Sequence, residues 1–351
     1  MYDIKDYSYE LPPDLIAQVP EPRRDHSRLL VVDRLKRSFS AYRFFDLPQL
    51  LRPGDLLVVN NTKVVPARLF GQKESGGRVE ILVIEHPEAP GENPTTRTCL
   101  VKSSKRPKRG SRLFLESGLT GEVEEVLEGG LVRIRFFGER SLDSIMEAQG
   151  RMPVPPYIER KEDGPYGELD GERYQTVFSR VRGAIAAPTA GLHFTEALIR
   201  NLAQAGISIT QLTLHVGYAT FRPVRCRDIR DHHLGEESYQ LESRTVKAIE
   251  EARAGGGRVV AVGTTVVRAL ETAADPGGEI RPGKGRTDLL IVPGFRFKVV
   301  DGLVTNFHLP RSSLLFLVSA FAGRDLIRGA YNLAVQERFR FYSYGDAMLI
   351  I

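Results

Sequence analysis

Short apolar runs in this chain end, one after another, in a histidine, threonine or asparagine directly ahead of a helix-forming segment. Gly183-Ala-Ile-Ala-Ala187 leads into Pro188-Thr-Ala-Gly-Leu-His193-Phe-Thr195 and then the amphipathic Glu196–Gln204. Ile207–His215 alternates as a strand and closes on a histidine. Arg258–Gly263 runs straight into Thr264-Thr265 and a helix over Val266–Ala274, and Leu303–His308 precedes Pro310 and the apolar helix Ser312–Phe321. Asp55–Val59 is an apolar strand that meets Asn60-Asn-Thr-Lys63 and, further on, Arg68. Strand–turn–helix units of this kind build parallel sheets, whose carboxyl ends lie along one edge where open α/β folds bind ligands. Convergence of these ends puts His193, His215 and His308 in one cleft with Asn60, Asn61, Thr264, Arg268, Glu271 and Asn306.

Each of these residues also has a plainer reading. Thr195 is a good helix N-cap, and so is Thr264 or Thr265. Asn60 and Asn61 suit a polar crossover loop in which they cap backbone groups. His193 suits a turn where its neighbours satisfy it, with Gly191 letting the backbone turn sharply. Arg268 and Glu271 stand one turn apart on a well-capped helix.

Between Leu69 and Gln149 the texture changes to strands near Arg78–Glu85, Thr98–Ser103, Ser111–Glu116, Gly121–Leu127 and Leu131–Phe137, separated by Gly-rich or charged turns. That spacing reads as a small β-barrel or sandwich. The chain therefore divides into an α/β main domain, barrel-like or an open sheet with helices, made of residues 1–68 and 151–351, and an inserted all-β barrel over 69–150. Within the insertion, Lys102, Lys105, Arg106, Lys108 and Arg109 place five cations in eight residues, and Pro107 and Gly110 keep the run in a loop. Such a run neutralises phosphates or is simply a solvated loop; the net charge of +5 favours a polyanionic partner.

Other classes fit poorly. No apolar stretch has the 18 or so residues of a membrane span, and Met1-Tyr-Asp-Ile-Lys-Asp6 is charged rather than a signal sequence, so a cytoplasmic protein without membrane contact is expected. Cys99 and Cys226 have no metal-type spacing. Gly278–Lys284 has P-loop spacing, but Gly285 replaces the hydroxyl residue and no strand precedes it. His232-His233 with Glu236 and Glu237 is a weak metal candidate because adjacent side chains on an extended chain point apart. No metal is expected.

The longer motifs point further. Asn60–Gly71, Ala187–Thr195, Thr213-Leu-His-Val-Gly217, Thr220-Phe-Arg-Pro-Val224, Ala261–Arg268, Thr305-Asn-Phe-His-Leu-Pro310 and Tyr344-Gly-Asp-Ala-Met348 occur in order along nearly the whole chain. Together they resemble the S-adenosylmethionine:tRNA ribosyltransferase-isomerases of queuosine biosynthesis. Two departures stand out: Ala219 where that family has Gly, and Leu234-Gly235 where it usually has Met-His, which removes one histidine from the His232 loop.

The resemblance implies transfer and isomerisation of the ribosyl group of S-adenosylmethionine, a consumed co-substrate. The acceptor is 7-aminomethyl-7-deazaguanine at the tRNA wobble position, and the products are epoxyqueuosine, adenine and methionine. It implies His215 or His193 as the base that takes a proton next to the sulfonium, and His308 as an acid for adenine. Arg268 and Glu271, with Thr264 and Thr265, are expected to hold the methionine end. Asn60, Asn61, Lys63 and Arg68 are expected to orient the ribose or the modified base, with Thr189, Gly191 and Asn306 also binding substrate. The basic barrel loop is expected to touch tRNA, and the protein to be a monomer or weak oligomer. Two readings from other classes stay open on the residues alone: a non-catalytic RNA-binding protein using the barrel, and a small-molecule hydrolase or phosphate-binding enzyme using the Thr264 helix start.

Overall fold

The structure, a computed structural model, describes residues 2–84, 95–160, 164–217 and 224–351. Ala219, residues 220–223 of the Thr220–Val224 motif and residues 161–163 lie outside the described residues. In chain order, the hairpin β1 (Arg28–Asp33) and β2 (Ser38–Arg43) comes first. The short helix α1 (Leu47–Leu50), β3 (Leu56–Asn60) and β4 (Thr62–Val64) follow. Next come β5 (Arg68–Lys73), β6 (Arg78–Val83), β7 (Thr96–Ser103), β8 (Arg112–Leu115), β9 (Thr120–Val126) and β10 (Leu131–Phe137), then α2 (Leu142–Gln149) and α3 (Gly167–Arg173). The remainder alternates: β11 (Val181–Ala184), α4 (Glu196–Gln204), β12 (Ser208–Leu214), β13 (Glu237–Leu241), α5 (Ser243–Ala254), β14 (Val259–Val262) and α6 (Thr264–Ala273). It ends with β15 (Gly283–Thr287), β16 (Gly302–Asn306), α7 (Ser313–Ala322), α8 (Arg324–Gln336) and β17 (Ala347–Ile350).

The main sheet is open, mixed and nine-stranded, in the order β15-β13-β12-β3-β14-β16-β17-β1-β2. Its centre, β12-β3-β14-β16, is parallel, while β17 runs antiparallel to β16. β3 is buried along its whole length, and its side chains alternate between two cores. Val58, Ala261 and Leu303 face Val266 and Phe316 of the helices on one side. Leu57, Val59, Val260 and Val304 face Phe44, Phe194, Leu198 and Leu202 on the other. The α4 segment behaves as its pattern requires: Thr195 Oγ1 accepts from Leu198 N at 3.1 Å, and Leu198 and Leu202 are buried.

The insertion is a closed barrel in the order β10-β7-β6-β5-β8-β9, every neighbour antiparallel. Five of its strands, β6 to β10, lie where the sequence pattern places them. The sixth, β5, closes the barrel, and Gly71 interrupts the alternation that would have marked it as a strand. The expected strand over Gly183–Ala187 is also corrected. Here β11 spans Val181–Ala184 and pairs with β4 in a separate two-stranded ribbon, and residues 185–188 continue as non-strand chain toward the turn at Thr189–His193.

One buried ion pair ties two central strands together at their amino ends. Asp55, 1% exposed, accepts from Arg258 Nε at 3.1 Å and Nη2 at 2.6 Å, and from the backbone N–H groups of Arg52 and Arg258. Burial alone raises the Asp55 carboxyl pKa, but the Arg258 guanidinium and those N–H groups together bring it below the usual value. Removing one partner of such a pair strands the other and costs about 3 kcal/mol. Asp55→Ala is therefore expected to lower stability by about that much in equilibrium urea unfolding; an unchanged midpoint contradicts this role.

Candidate functional site

Parallel register brings the carboxyl ends of four strands level. Leu212 lies opposite Asn60, Val58 opposite Ala261 and Val262 opposite Val304, while Asn306 faces Ala347 of the antiparallel β17. Beyond those ends opens a cleft. Thr189 and Ala190 of the 3-10 turn line it, with Thr264 and Thr265 at the start of α6, Asn306 and His308 after β16, and Tyr157, Tyr342 and Ser343.

Thr264 or Thr265 is the expected N-cap, and the geometry corrects this. The cap is Gly263 at φ +98°, a left-handed conformation that favours glycine. It places both threonines inside the helix, and its carbonyl accepts from Val266 N at 3.1 Å and Val267 N at 3.3 Å. The Thr265 hydroxyl, in a residue 8% exposed, has no hydrogen-bond partner among the described residues. The same holds for Asn306 Oδ1, in a residue 2% exposed.

The three histidines take different positions. His308 lines the cleft, its Nε2 3.0 Å from Thr305 Oγ1 and its backbone N–H donating to Tyr331 at 2.9 Å. His193 lies behind Asn306, stacked on Phe44 with ring centres 4.9 Å apart. Asn306 Nδ2 donates to Tyr342 O at 3.0 Å and faces His193 Nε2 at 3.2 Å, so Nε2 is the acceptor. The proton on His193 then sits on Nδ1, 2.7 Å from Ser27 Oγ, which donates on to Arg24 O at 3.3 Å. Burial lowers the pKa of both His193 and His308 to about 3, and both are neutral at pH 7. His215, expected in the cleft, does not line it, although its neighbour Val216 does; it is half-buried, with its Nδ1 2.8 Å from Thr62 Oγ1 and its ring against the backbone of Gly183, where a Cβ would lie 2.7 Å from it.

Other candidates are engaged elsewhere. Asn60 bridges β3 to β12: its Oδ1 accepts from Leu214 N at 3.1 Å and its Nδ2 donates to Leu214 O at 2.8 Å. Asn61 accepts from the Thr213 hydroxyl at 2.7 Å. Arg268 pairs with buried Glu237 and donates to Leu289 O at 3.0 Å and Thr287 O at 3.2 Å. The Glu271 carboxylate accepts three consecutive backbone N–H groups, of Lys298, Val299 and Val300, at 2.9–3.1 Å. Neither Arg268 nor Glu271 lines the cleft. Gly191 packs on Thr176, Lys63 is exposed on β4, and Arg68 sits at the barrel junction between Val154 O and Glu80.

All five cations of the barrel loop are exposed, and none is ion-paired among the described residues. No group of three or more His, Cys, Asp or Glu that could hold a metal occurs among the described residues, and none of their helices is long and apolar enough to cross a membrane. Sequence reasoning missed Ser27 and Tyr157. The first sits in a charged loop with nothing to mark it; the second is the aromatic that ends a proline-rich linker.

Residues 4–350 match the family model described as queuosine biosynthesis protein. The S-adenosylmethionine:tRNA ribosyltransferase-isomerase of Trichlorobacter lovleyi is 51% identical over 348 residues, covering 99% of each chain. The protein of that name from Gloeobacter violaceus is 50% identical over 346 residues, 98% of this chain and 95% of that one. The crystal structure of the S-adenosylmethionine tRNA ribosyltransferase of Thermotoga maritima superposes with a TM-score of 0.55 at 37% identity, covering 99% of this chain and all of that one.

The buried neutral histidines set an acid dependence. Their folded pKa lies below the ordinary 6.5, so the unfolded chain binds more protons between those values and stability falls as pH drops through that window. Thermal midpoints are expected to fall from pH 6.5 toward 4.5, with a shallower slope in His193→Gln. Equal slopes contradict a buried neutral His193.

Proposed function

Because the chain belongs to the family of queuosine biosynthesis proteins, we propose that it is an S-adenosylmethionine:tRNA ribosyltransferase-isomerase. In this reading it moves the ribosyl group of S-adenosylmethionine onto 7-aminomethyl-7-deazaguanine at the tRNA wobble position, yields epoxyqueuosine and releases adenine and methionine. The observation that carries the reading is the convergence of the Pro188–Ala190, Thr264–Thr265 and Asn306–His308 motifs on one cleft at the carboxyl edge of the sheet. Those segments are far apart in sequence and belong to the motifs that mark the family.

The chemistry asks for a base near the acidified 5′ C–H, a hydrogen-bond donor for departing adenine and a neutral amine on the tRNA. His308, neutral and on the cleft, suits the adenine as a donor through a ring N–H. His193 lies behind Asn306 with both ring nitrogens engaged, and His215, next in sequence to Val216 of the cleft lining, is assigned as the base. The aromatic pair Tyr157 and Tyr342, with ring centres 4.7 Å apart, offers apolar surface for the flat purine. Lys102, Lys105, Arg106, Lys108 and Arg109 supply phosphate contacts to the anticodon arm from the barrel.

The test follows adenine release by chromatography. Adenine is expected only when S-adenosylmethionine and tRNA bearing 7-aminomethyl-7-deazaguanine are both present, with a matching mass gain on the tRNA; binding of tRNA without adenine refutes the enzymatic reading. His215→Ala and His308→Ala are each expected to lower kcat by about 100-fold or more. Reversing the charge of Lys105, Arg106, Lys108 and Arg109 is expected to weaken tRNA binding and flatten its dependence on salt. An unchanged salt slope removes the loop from the interface.

A further inference from the structure

Two residues of the cleft lining carry buried polar atoms without partners among the described residues, and these atoms differ in kind. Asn306 Oδ1 is an acceptor only. Its orientation is fixed because the other end of the carboxamide donates to Tyr342 O and His193 Nε2. Thr265 Oγ1 stands at the first turn of α6, where the N–H groups of Thr264 and Thr265 have no intrahelical acceptor and Gly263 offers no side-chain cap. The two lie on adjacent strand ends: Gly263 N donates to Val304 O at 2.8 Å, so the α6 start and Asn306 follow from one paired register.

No ionised side chain lines this cleft among the described residues. Charge recognition there falls to dipoles and hydrogen bonds. The helix start attracts an anion. A phosphate would bring further anionic oxygens against the Asn306 acceptor, whereas a group with a carboxylate and an ammonium on one carbon satisfies both ends.

We infer that the start of α6 and the Asn306 carboxamide form a cradle for a zwitterionic amino-acid group. The carboxylate lies on the Thr264 and Thr265 N–H groups and the Thr265 hydroxyl, and the ammonium donates to Asn306 Oδ1. His193 is a positioning residue: held by Ser27 and stacked on Phe44, it fixes which end of the carboxamide faces the cleft. The inference rests on the reading above, in which S-adenosylmethionine is consumed, and it names the methionine end as the part this cradle grips. It also reassigns that task from Arg268 and Glu271, whose hydrogen bonds are spent within the protein.

The test is calorimetric titration with two unreactive nucleosides: S-adenosylhomocysteine, which keeps the amino-acid group, and 5′-methylthioadenosine, which lacks it. Wild type is expected to prefer the first by about 100-fold, as two charge-assisted contacts would give. Thr265→Val and Asn306→Ala are each expected to cut that preference about tenfold while leaving 5′-methylthioadenosine within about twofold, and His193→Leu to cut it several-fold by releasing the carboxamide. Thr265→Ser, which restores the hydroxyl, is expected to keep the wild-type preference. An unchanged preference in Thr265→Val and Asn306→Ala, or equal weakening of both nucleosides, overturns the cradle. Failure of wild type to bind either nucleoside overturns the ribosyl-transfer reading first and the cradle with it.

Discussion

Parallel pairing of β12, β3, β14 and β16 is the constraint on which the rest of the molecule depends. Parallel neighbours must be joined by crossovers, so helices cover both faces and the strands become apolar throughout. The backbone then reaches the carboxyl edge with its polar residues concentrated just past the last ladder bond. Ladder spacing puts Asn60, Gly263 and Asn306 on adjacent strand ends without long-range design. The antiparallel return of β17 beside β16 adds Tyr342 and Ser343 to the same edge.

The edge residues divide into two kinds. Asn60, Asn61, Arg268 and Glu271 spend their hydrogen bonds holding strands and loops: β3 to β12, the β13–β15 margin, and the backbone of residues 298–300. They stiffen the strands and loops behind the cleft. Thr265 and Asn306 line the cleft and each has a buried side-chain oxygen without a partner among the described residues, and His308 stands beside them. A buried polar atom without a partner costs free energy, so a pair of such atoms on one cleft points to groups that a ligand completes.

Much of this was legible in the sequence. The strand ends, the inserted barrel and the gathering of His308, Thr264, Thr265 and Asn306 followed from apolar runs that break into polar turns. What the sequence could not show was direction. The resemblance gave Arg268 and Glu271 the methionine end, but where a charged pair one turn apart on a helix points depends on packing, here against β13 and the 298–300 backbone. N-cap preference marks Thr264 or Thr265 as the cap, whereas the left-handed Gly263 takes that place and leaves the Thr265 hydroxyl without a partner among the described residues. The resemblance offered His193 as an alternative to His215 for the base, and nothing in the sequence shows that Ser27, from a loop 166 residues earlier, occupies its second nitrogen. β5 escaped notice because Gly71 breaks the alternation of its core face.

On the function proposed above, S-adenosylmethionine binds in the carboxyl-edge cleft. A crystal structure with S-adenosylhomocysteine tests it most directly. Density is expected in the cleft bounded by Thr189, Thr265, Asn306, His308 and Tyr342, with the carboxylate at the start of α6. Density at the junction of barrel and main sheet around Arg68, with this cleft unchanged, would contradict it.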